Sequence, residues 1–404
     1  MNDIPSEKIR SSLVRFVSWL DAYGETSYDH QSFFASPRGG NAKETYYKKP
    51  LLGTIAVAPM IFFEAFLPSA RRLFWHPQRF PIADAHYAMG FAFLAQALSE
   101  RKYYERAVHF LNVLETTRCP GCANYGWGYP FDWVTRSGTI PHDTPLITTT
   151  PYVFEAFHHV YKIDGNIKWL DILRSIAEHA ARDFRDFEIS RHASTCAYTP
   201  MSQDPGGVIN ASAYRAFLLT QASVLFSETG YGNIADRNLN FVLDSQQPDG
   251  SWAYAKDSVR DFIDHFHTCF VLKALGKIEQ LTGHEGCREA IAKGVHYYVN
   301  ALFDGEGIPK PFSRAPRFTV YRHELYDYAE CINLAVLLHG RFPELDGKLS
   351  TVLEDLLGRW QKPDGSFRSR KLLFGWDDVP MHRWAQSQIF RSLALLYSGR
   401  GLTR

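Results

Sequence analysis

His323, Tyr326, Asp327 and Glu330 recur at i, i+3, i+4 and i+7, the spacing of a single helical face. An imidazole, a phenol and two carboxylates on one face supply the proton carriers of acid/base chemistry. Acids near a helix start also suit its dipole, so part of the set is expected to serve stability. Unpaired carboxylates inside a buried helix are costly, which argues for a task. Asp264 and His267 stand three apart; a carboxylate beside an imidazole holds the ring and raises its pKa. Asp264 equally suits an N-cap, with His265 turned into the core. Asp264, the histidines and Cys269 do not follow an established zinc spacing, and no metal or cofactor is expected. In His382-Arg383-Trp384-Ala385-Gln386, Arg383 and Gln386 offer a fork for a carboxylate or phosphate, unless Arg383 pairs with Asp377 or Asp378.

A further candidate is the aromatic run Gly126-Trp127-Gly128-Tyr129-Pro130-Phe131-Asp132-Trp133, within the connection from Cys119 to Asp143. Sugar faces stack on rings while carboxylates bond their hydroxyls, so Trp127, Tyr129 and Trp133 are expected to bind substrate around a catalytic Asp132. The structural alternative is a hydrophobic plug with Asp132 capping a turn. His142 precedes Asp143 and Thr144, either of which reads as an N-cap. Asn210, Tyr214, Tyr254, His323 and Trp384 complete the binding candidates.

These residues need elements to bring them together. Aromatic- and alanine-rich helical stretches open near Asp84, Leu146, Ile209, Asp264, Tyr326 and His382, a period of roughly 60 residues, enough for two helices and two connections. Amphipathic stretches from Tyr103, Ile167, Ile234, Cys287 and Leu349 alternate with them, and Glu7–Tyr23 supplies another. The pattern predicts an all-α (α/α)6 toroid over 81–404, preceded by an N-terminal helical extension over 1–80. Inner helices then open at one rim of a funnel.

The chain of 404 residues has a net charge of +1 without long runs of one sign, so the electrostatic footprint of a nucleic-acid binder is missing. Six cysteines, including a lone Cys119-x-x-Cys122, make no disulfide framework and fit a reducing cytosol. The opening MNDIPSEKIR has no apolar stretch, unlike a secretory signal. Leu51–Leu67 is apolar between Lys48, Lys49 and Arg71, Arg72, yet contains Pro59 and Glu64 and is short for a span. Burial against the ring is expected, with peripheral contact at the inner membrane face as the alternative.

Two turns, Gln247-Pro-Asp-Gly-Ser-Trp252 and Gln361-Lys-Pro-Asp-Gly-Ser-Phe367, are expected to end outer helices, their glutamines bonding carbonyls of the preceding helix. They resemble the repeat of squalene-hopene cyclases, and also the turns of (α/α)6 glycoside hydrolases and polysaccharide lyases. Gly126–Trp133 followed by Thr148-Thr149-Thr150-Pro151 resembles toroid proteins associated with bacterial and archaeal surface-polysaccharide synthesis. That resemblance implies an oligosaccharide or polysaccharide substrate. The chain lacks DxDD, DDxxD and a Gly-rich nucleotide loop. The expectation is a glycan-modifying hydrolase, lyase or epimerase. On a uronic acid, Arg383 would neutralise the carboxylate while Tyr326 and His267 exchanged the C5 proton. A terpenoid cyclase or prenyl-binding relative would need an apolar cavity instead. A non-catalytic glycan-binding scaffold would keep the aromatics without requiring Asp327, Glu330 or His267.

Overall fold

The computed structural model describes residues 6–401. An N-terminal group comprises α1 (Ser6–Tyr23), α2 (Ser32–Ala35), α3 (Pro37–Lys48) and α4 (Pro50–Phe66). The helical hairpins follow as α5 (Pro81–Leu98) with α6 (Arg101–Thr116), α7 (Thr150–Asp164) with α8 (Ile167–Glu178), and α9 (Ile209–Phe226) with α10 (Thr229–Asp244). Next come α11 (His265–Thr282) with α12 (Glu285–Ala301), α13 (Leu325–Leu337) with α14 (Pro343–Asp355), and finally α15 (Ser387–Gly401). Odd-numbered helices from α5 onward form the inner ring: each packs on the next, and α15 returns to α5. Their composition explains the placement. Every residue from Ala83 to Leu94 of α5 is buried, whereas α6 buries a stripe of Tyr103, Ala107, Phe110, Leu111 and Leu114. A helix covered on both sides must be apolar nearly all round, and an outer one on a single face.

The ring closes through α1. Phe16 stacks 5.1 Å from Phe390 of α15 and lies 5.9 Å from Phe367 and 6.4 Å from Tyr87. The two Asp-Gly turns staple neighbouring outer helices. Gln361 donates from Nε2 to the Ser12 carbonyl on α1 at 3.0 Å, and Gln246 donates to Ala290 on α12 at 2.9 Å. The equivalent glutamine of the first turn is therefore Gln246, not Gln247, and each bonds the following outer helix rather than the preceding one. Gly250 and Gly365 sit at φ +91° and +97°, where a side chain is strained. A Cβ would stand 2.4 Å from the Lys293 carbonyl oxygen in one turn and 2.3 Å from that of Arg15 in the other. Thus α1 takes, in the last turn, the place that α12 takes in the first.

The two rims differ. Opposite the inner-helix starts, the connections Ser99–Glu100, Gly165–Asn166, Ser227–Glu228 and Gly283–His284 are two residues long, with the first of each pair left-handed. At the inner-helix starts the connections are long and carry antiparallel strands: β1 (Trp133–Thr135) with β2 (Gly138–Ile140), β3 (Asp186–Glu188) with β4 (Ser194–Cys196), and β5 (Ile263–Asp264) with β6 (Phe312–Arg314). β7 (Tyr321–Glu324), β8 (Arg370–Leu372) and β9 (Trp376–Asp377) form one further sheet. Long loops on a rigid scaffold are where binding groups collect.

The segment α2–α4 lies at this same rim. α3 touches β1, and Glu64 of α4 holds Arg370 of β8 at 2.8 Å. Burial of Leu51–Leu67 does not occur. Only Gly53 and Met60 of α4 are buried, because its packing, against α3, Phe33, Phe74 and the Glu64 anchor, covers one side of the helix. Leu51, Ile55, Phe62 and Phe66 face outward.

These close approaches set an expectation for two alanine substitutions. Gly365→Ala should lower the thermal midpoint by several degrees, since a cost above about 1 kcal/mol follows from strain at positive φ. Gly347→Ala in α14, where a Cβ meets nothing within 4 Å, should raise stability by about 0.5–1 kcal/mol. Calorimetric scans of both variants check the pair.

Candidate functional site

Each of the six inner helices contributes one polar side chain to the ring axis: His86, Tyr152, Tyr214, Lys273, Glu330 and Arg391. Glu330 is fully buried and pairs on one side with Lys273 of α11, on the other with Arg391 of α15 at 3.6 Å. Tyr152 receives both cations over its ring, Arg391 at 5.1 Å and Lys273 at 5.7 Å, an attractive placement for a π face. Its hydroxyl meets that of Tyr214 at 2.5 Å. The His86 ring stands edge-on to Tyr152 at 4.5 Å, with both nitrogens buried and unpartnered among the described residues. One turn deeper, Lys277 of α11 pairs with Glu155 of α7. Because α7 and α11 are separated by α9, this ion pair crosses the ring and floors the site.

Burial governs the protonation of these groups. It pushes the His86 imidazole well below its ordinary range, and Arg391, Lys273 and Lys277 push the same way. His86 is thus a neutral base. Burial also brings the Lys273 ammonium down to about 8, against the opposing pull of Glu330. The Tyr152, Tyr214 and Tyr326 phenols are driven up by burial first, with Glu330 adding to each, so they act as neutral hydrogen-bonding groups.

Above the axis lies an aromatic collar. Tyr326 packs on Trp384 at 4.9 Å and on Phe266 at 5.2 Å. Tyr254 faces His267 at 4.7 Å, and Trp133 faces Tyr198 at 5.8 Å. Asp264 makes both expected contacts: Oδ1 accepts the His267 backbone N–H at 3.0 Å as the N-cap of α11, and Oδ2 lies 2.6 Å from His267 Nδ1. His267 remains partly open at the collar, with its side chain 22 % exposed.

Several sequence candidates sit elsewhere. Trp127 is fully buried, its indole N–H donated to the Leu114 carbonyl at 2.8 Å, and it has no face for a sugar. Asp132 and His142 form an exposed pair at 2.9 Å on the loop. The helix beyond them starts at Thr150, so neither Asp143 nor Thr144 is its N-cap. His323 is not on the face of Tyr326, because α13 begins only at Leu325. It belongs to β7, bonds the Pro309 carbonyl at 2.9 Å and lines a flank cavity of about 850 Å3 with Asp304, Arg322 and Trp376. Asp327 is fully buried without a partner for either oxygen among the described residues; burial, then Glu324 and Asp264, drives its pKa well up. Asn210 is buried with Oδ1 unpartnered among the described residues.

The proposed fork of Arg383 and Gln386 does not form. His382–Gln386 is a π-helical turn, in which i→i+5 bonding removes the three-residue stacking of an α-helix. Gln386 spends both amide ends on the Phe367 backbone. Arg383 pairs with neither Asp377 nor Asp378. It grips Asp29 through two bonds of 3.0 and 2.5 Å and covers the Tyr129 ring at 4.7 Å. Burial alone would raise the Asp29 pKa, but Arg383 and His30 outweigh it and hold the carboxyl at about 2.

His86, Tyr152, Lys273 and Arg391 carry no local motif. Their signal is the repeat: consecutive axis residues stand 57 to 66 positions apart, one per inner helix at matching depth.

No protein-family model matches the chain, and no curated protein matches it in sequence. Solved structures are similar in fold. A cellobiose 2-epimerase from Bacillus thermoamylovorans superposes with a TM-score of 0.61 at 10 % identity, over 80 % of this chain and 90 % of that one. An α-1,6-mannanase from a Salegentibacter species gives 0.58 at 13 % identity, over 81 % and 91 %. A polysaccharide lyase gives 0.55 at 12 % identity, over 79 % and 90 %. Together with the helix order, they establish the (α/α)6 toroid.

The ion triad makes a stability prediction. Glu330→Gln leaves two buried cations without a counter-charge and should cost about 3–5 kcal/mol. Glu105→Gln, which breaks the exposed pair with Arg101 on α6, should stay within about 0.5 kcal/mol. Urea unfolding of the two variants reads the difference.

Proposed function

We propose that the protein is a carbohydrate-active enzyme that exchanges protons at a sugar carbon, as an epimerase, isomerase or lyase does. The observation that carries this reading is the neutral, unpartnered His86 facing Tyr152 and the two cations of the ring axis. A base of this kind can take a proton from carbon beside a carbonyl or carboxylate. Lys273 and Arg391 would stabilise the negative charge that then develops on the neighbouring oxygen. Glycoside hydrolysis is less well served, because it uses two carboxylates flanking the bond. Around the axis, Glu330 is engaged by both cations and Glu155 by Lys277, so neither carboxylate is free among the described residues.

The collar supports a saccharide. The partly open rings of Trp384, Tyr254 and Trp133 offer faces for pyranose rings, and the Asp264–His267 pair supplies a second acid/base group nearer the loop-rich rim. Arg383, committed to Asp29, holds the Tyr129 loop instead of clamping a uronate. The charged axis does not suit an isoprenoid chain. The similar epimerase and lyase folds agree with proton exchange, and an inactive variant of the mannanase solved with α-1,6-mannotetrose agrees with a saccharide ligand only. The resemblance of Gly126–Trp133 supports a setting in surface-polysaccharide metabolism. All six cysteines are free, in keeping with a reducing compartment.

A panel of reducing disaccharides and uronate oligosaccharides in deuterated water tests the reaction by NMR. Deuterium at C2 or C5 supports proton exchange, and a new unsaturated uronide supports elimination; release of reducing ends without deuterium contradicts the proposal. On the responsive substrate, His86→Ala should lower kcat by about 10²- to 10⁴-fold. The rate should also fall as pH rises through about 8, where the Lys273 ammonium loses its proton. Lys273→Arg, which keeps its charge, should slow the reaction but abolish that alkaline decline.

A further inference from the structure

α4 leaves an apolar stripe open to its surroundings: Leu51 (87 % exposed), Ile55 (73 %), Phe62 (53 %) and Phe66 (52 %). These positions repeat at helical spacing along one side, and Ala58 and Pro59 between them are exposed as well. The stripe continues onto the neighbouring loop, where Phe374 stacks on Phe66 at 6.1 Å and is itself 72 % exposed. Leu67 and Leu73 extend it past the helix end. A patch of this size on one side of a helix is a surface that expects a partner.

Charge selects which partner. Residues 31–80 hold seven Lys and Arg against two Glu, in a chain whose overall net charge is +1. Both glutamates are engaged, Glu44 by Lys48 and Glu64 by Arg370. Arg38, Lys49 and Arg72 are exposed and take part in no ion pair among the described residues. Lys49 and Arg72 flank the two ends of the apolar stripe. Apolar side chains along one face with cations at the margins match a bilayer, whose acyl boundary meets anionic headgroups.

We propose that α4 docks the protein on an anionic lipid surface, lying in the interface rather than crossing it. No described helix is long and apolar enough to span a membrane. Moreover, the opposite side of α4 is tied to the ring: Glu64 holds Arg370, and a Cβ at Gly53 would collide with the Tyr46 backbone of α3. Insertion therefore carries the whole toroid with it. Because α3 and α4 lie at the loop-rich rim, docking brings that rim to the headgroup layer.

Sedimentation with vesicles tests this on the full chain. Wild-type protein should pellet with vesicles of phosphatidylglycerol and phosphatidylcholine, and do so less with phosphatidylcholine alone or in high salt. The double variant Ile55→Asp/Phe62→Asp should bind at least about tenfold more weakly, with an unchanged circular dichroism spectrum and thermal midpoint. Lys49→Glu should weaken binding to the anionic vesicles alone. Wild-type protein that ignores every vesicle would overturn the proposal. So would vesicle binding that the double variant leaves intact. A dimer in light scattering that the double variant converts to monomer, without lipid binding, would assign the face to a second copy of the chain.

Discussion

Glu330 is a carboxylate at the centre of a closed ring, and its charge is tolerable only where Lys273 and Arg391 arrive from two other helices. Isolated charges in a protein interior are prohibitively costly, and even paired ones need accurate geometry. The helix register is thereby constrained: turning α11, α13 or α15 by one residue would orphan an ion. That demand reaches to the chain ends, since α15 is held between α13, α5 and α1. The staple from Gln361 to Ser12 and the packing of Phe16 on Phe390 are the local means by which the first helix secures the last.

Around this charged centre the protein changes character by layer. Lys277 and Glu155 lie at the bottom, the six axis groups form a polar middle, and aromatic rings pack above them. Shielded from water, the middle layer favours the uncharged form of both bases: His86 is kept neutral and Lys273 is brought towards neutrality. Such a layer suits a reactant rich in hydroxyls that must also lose or gain a proton. The same aromatic rings that would stack on a sugar also pack the wide gaps between inner helices, so structure and binding draw on one set of residues.

The architecture was legible because burial imposes composition. Helices apolar all round alternated with amphipathic ones at a constant period, and that alternation has few solutions other than hairpins closed in a ring. The Asp264–His267 pair and the Tyr326–Glu330 spacing were also readable, since both lie within one helix. Residues brought together from different helices were harder to see. His86, Tyr152, Lys273 and Arg391 share no local pattern and become a group only when the repeats are superposed. Two errors arose where the backbone departs from α-helical spacing, at the β7 strand holding His323 and at the π turn holding Arg383 and Gln386. Trp127 misled differently: a tryptophan in a glycine-rich loop fills a core gap as readily as it faces a ligand. The Asp29 partner of Arg383 lies 354 positions away, beyond the reach of any local pattern.

The central claim is that a saccharide occupies the ring axis with a carbon–hydrogen bond presented to His86. A crystal structure of the His86→Ala protein soaked with the responsive oligosaccharide tests it most directly. The account predicts sugar density beneath Trp384 and Tyr326, with its oxygens bonded to Lys273 or Arg391 and its exchangeable carbon beside residue 86. Sugar density confined to the flank cavity at Trp376, with the axis occupied only by water, would contradict it.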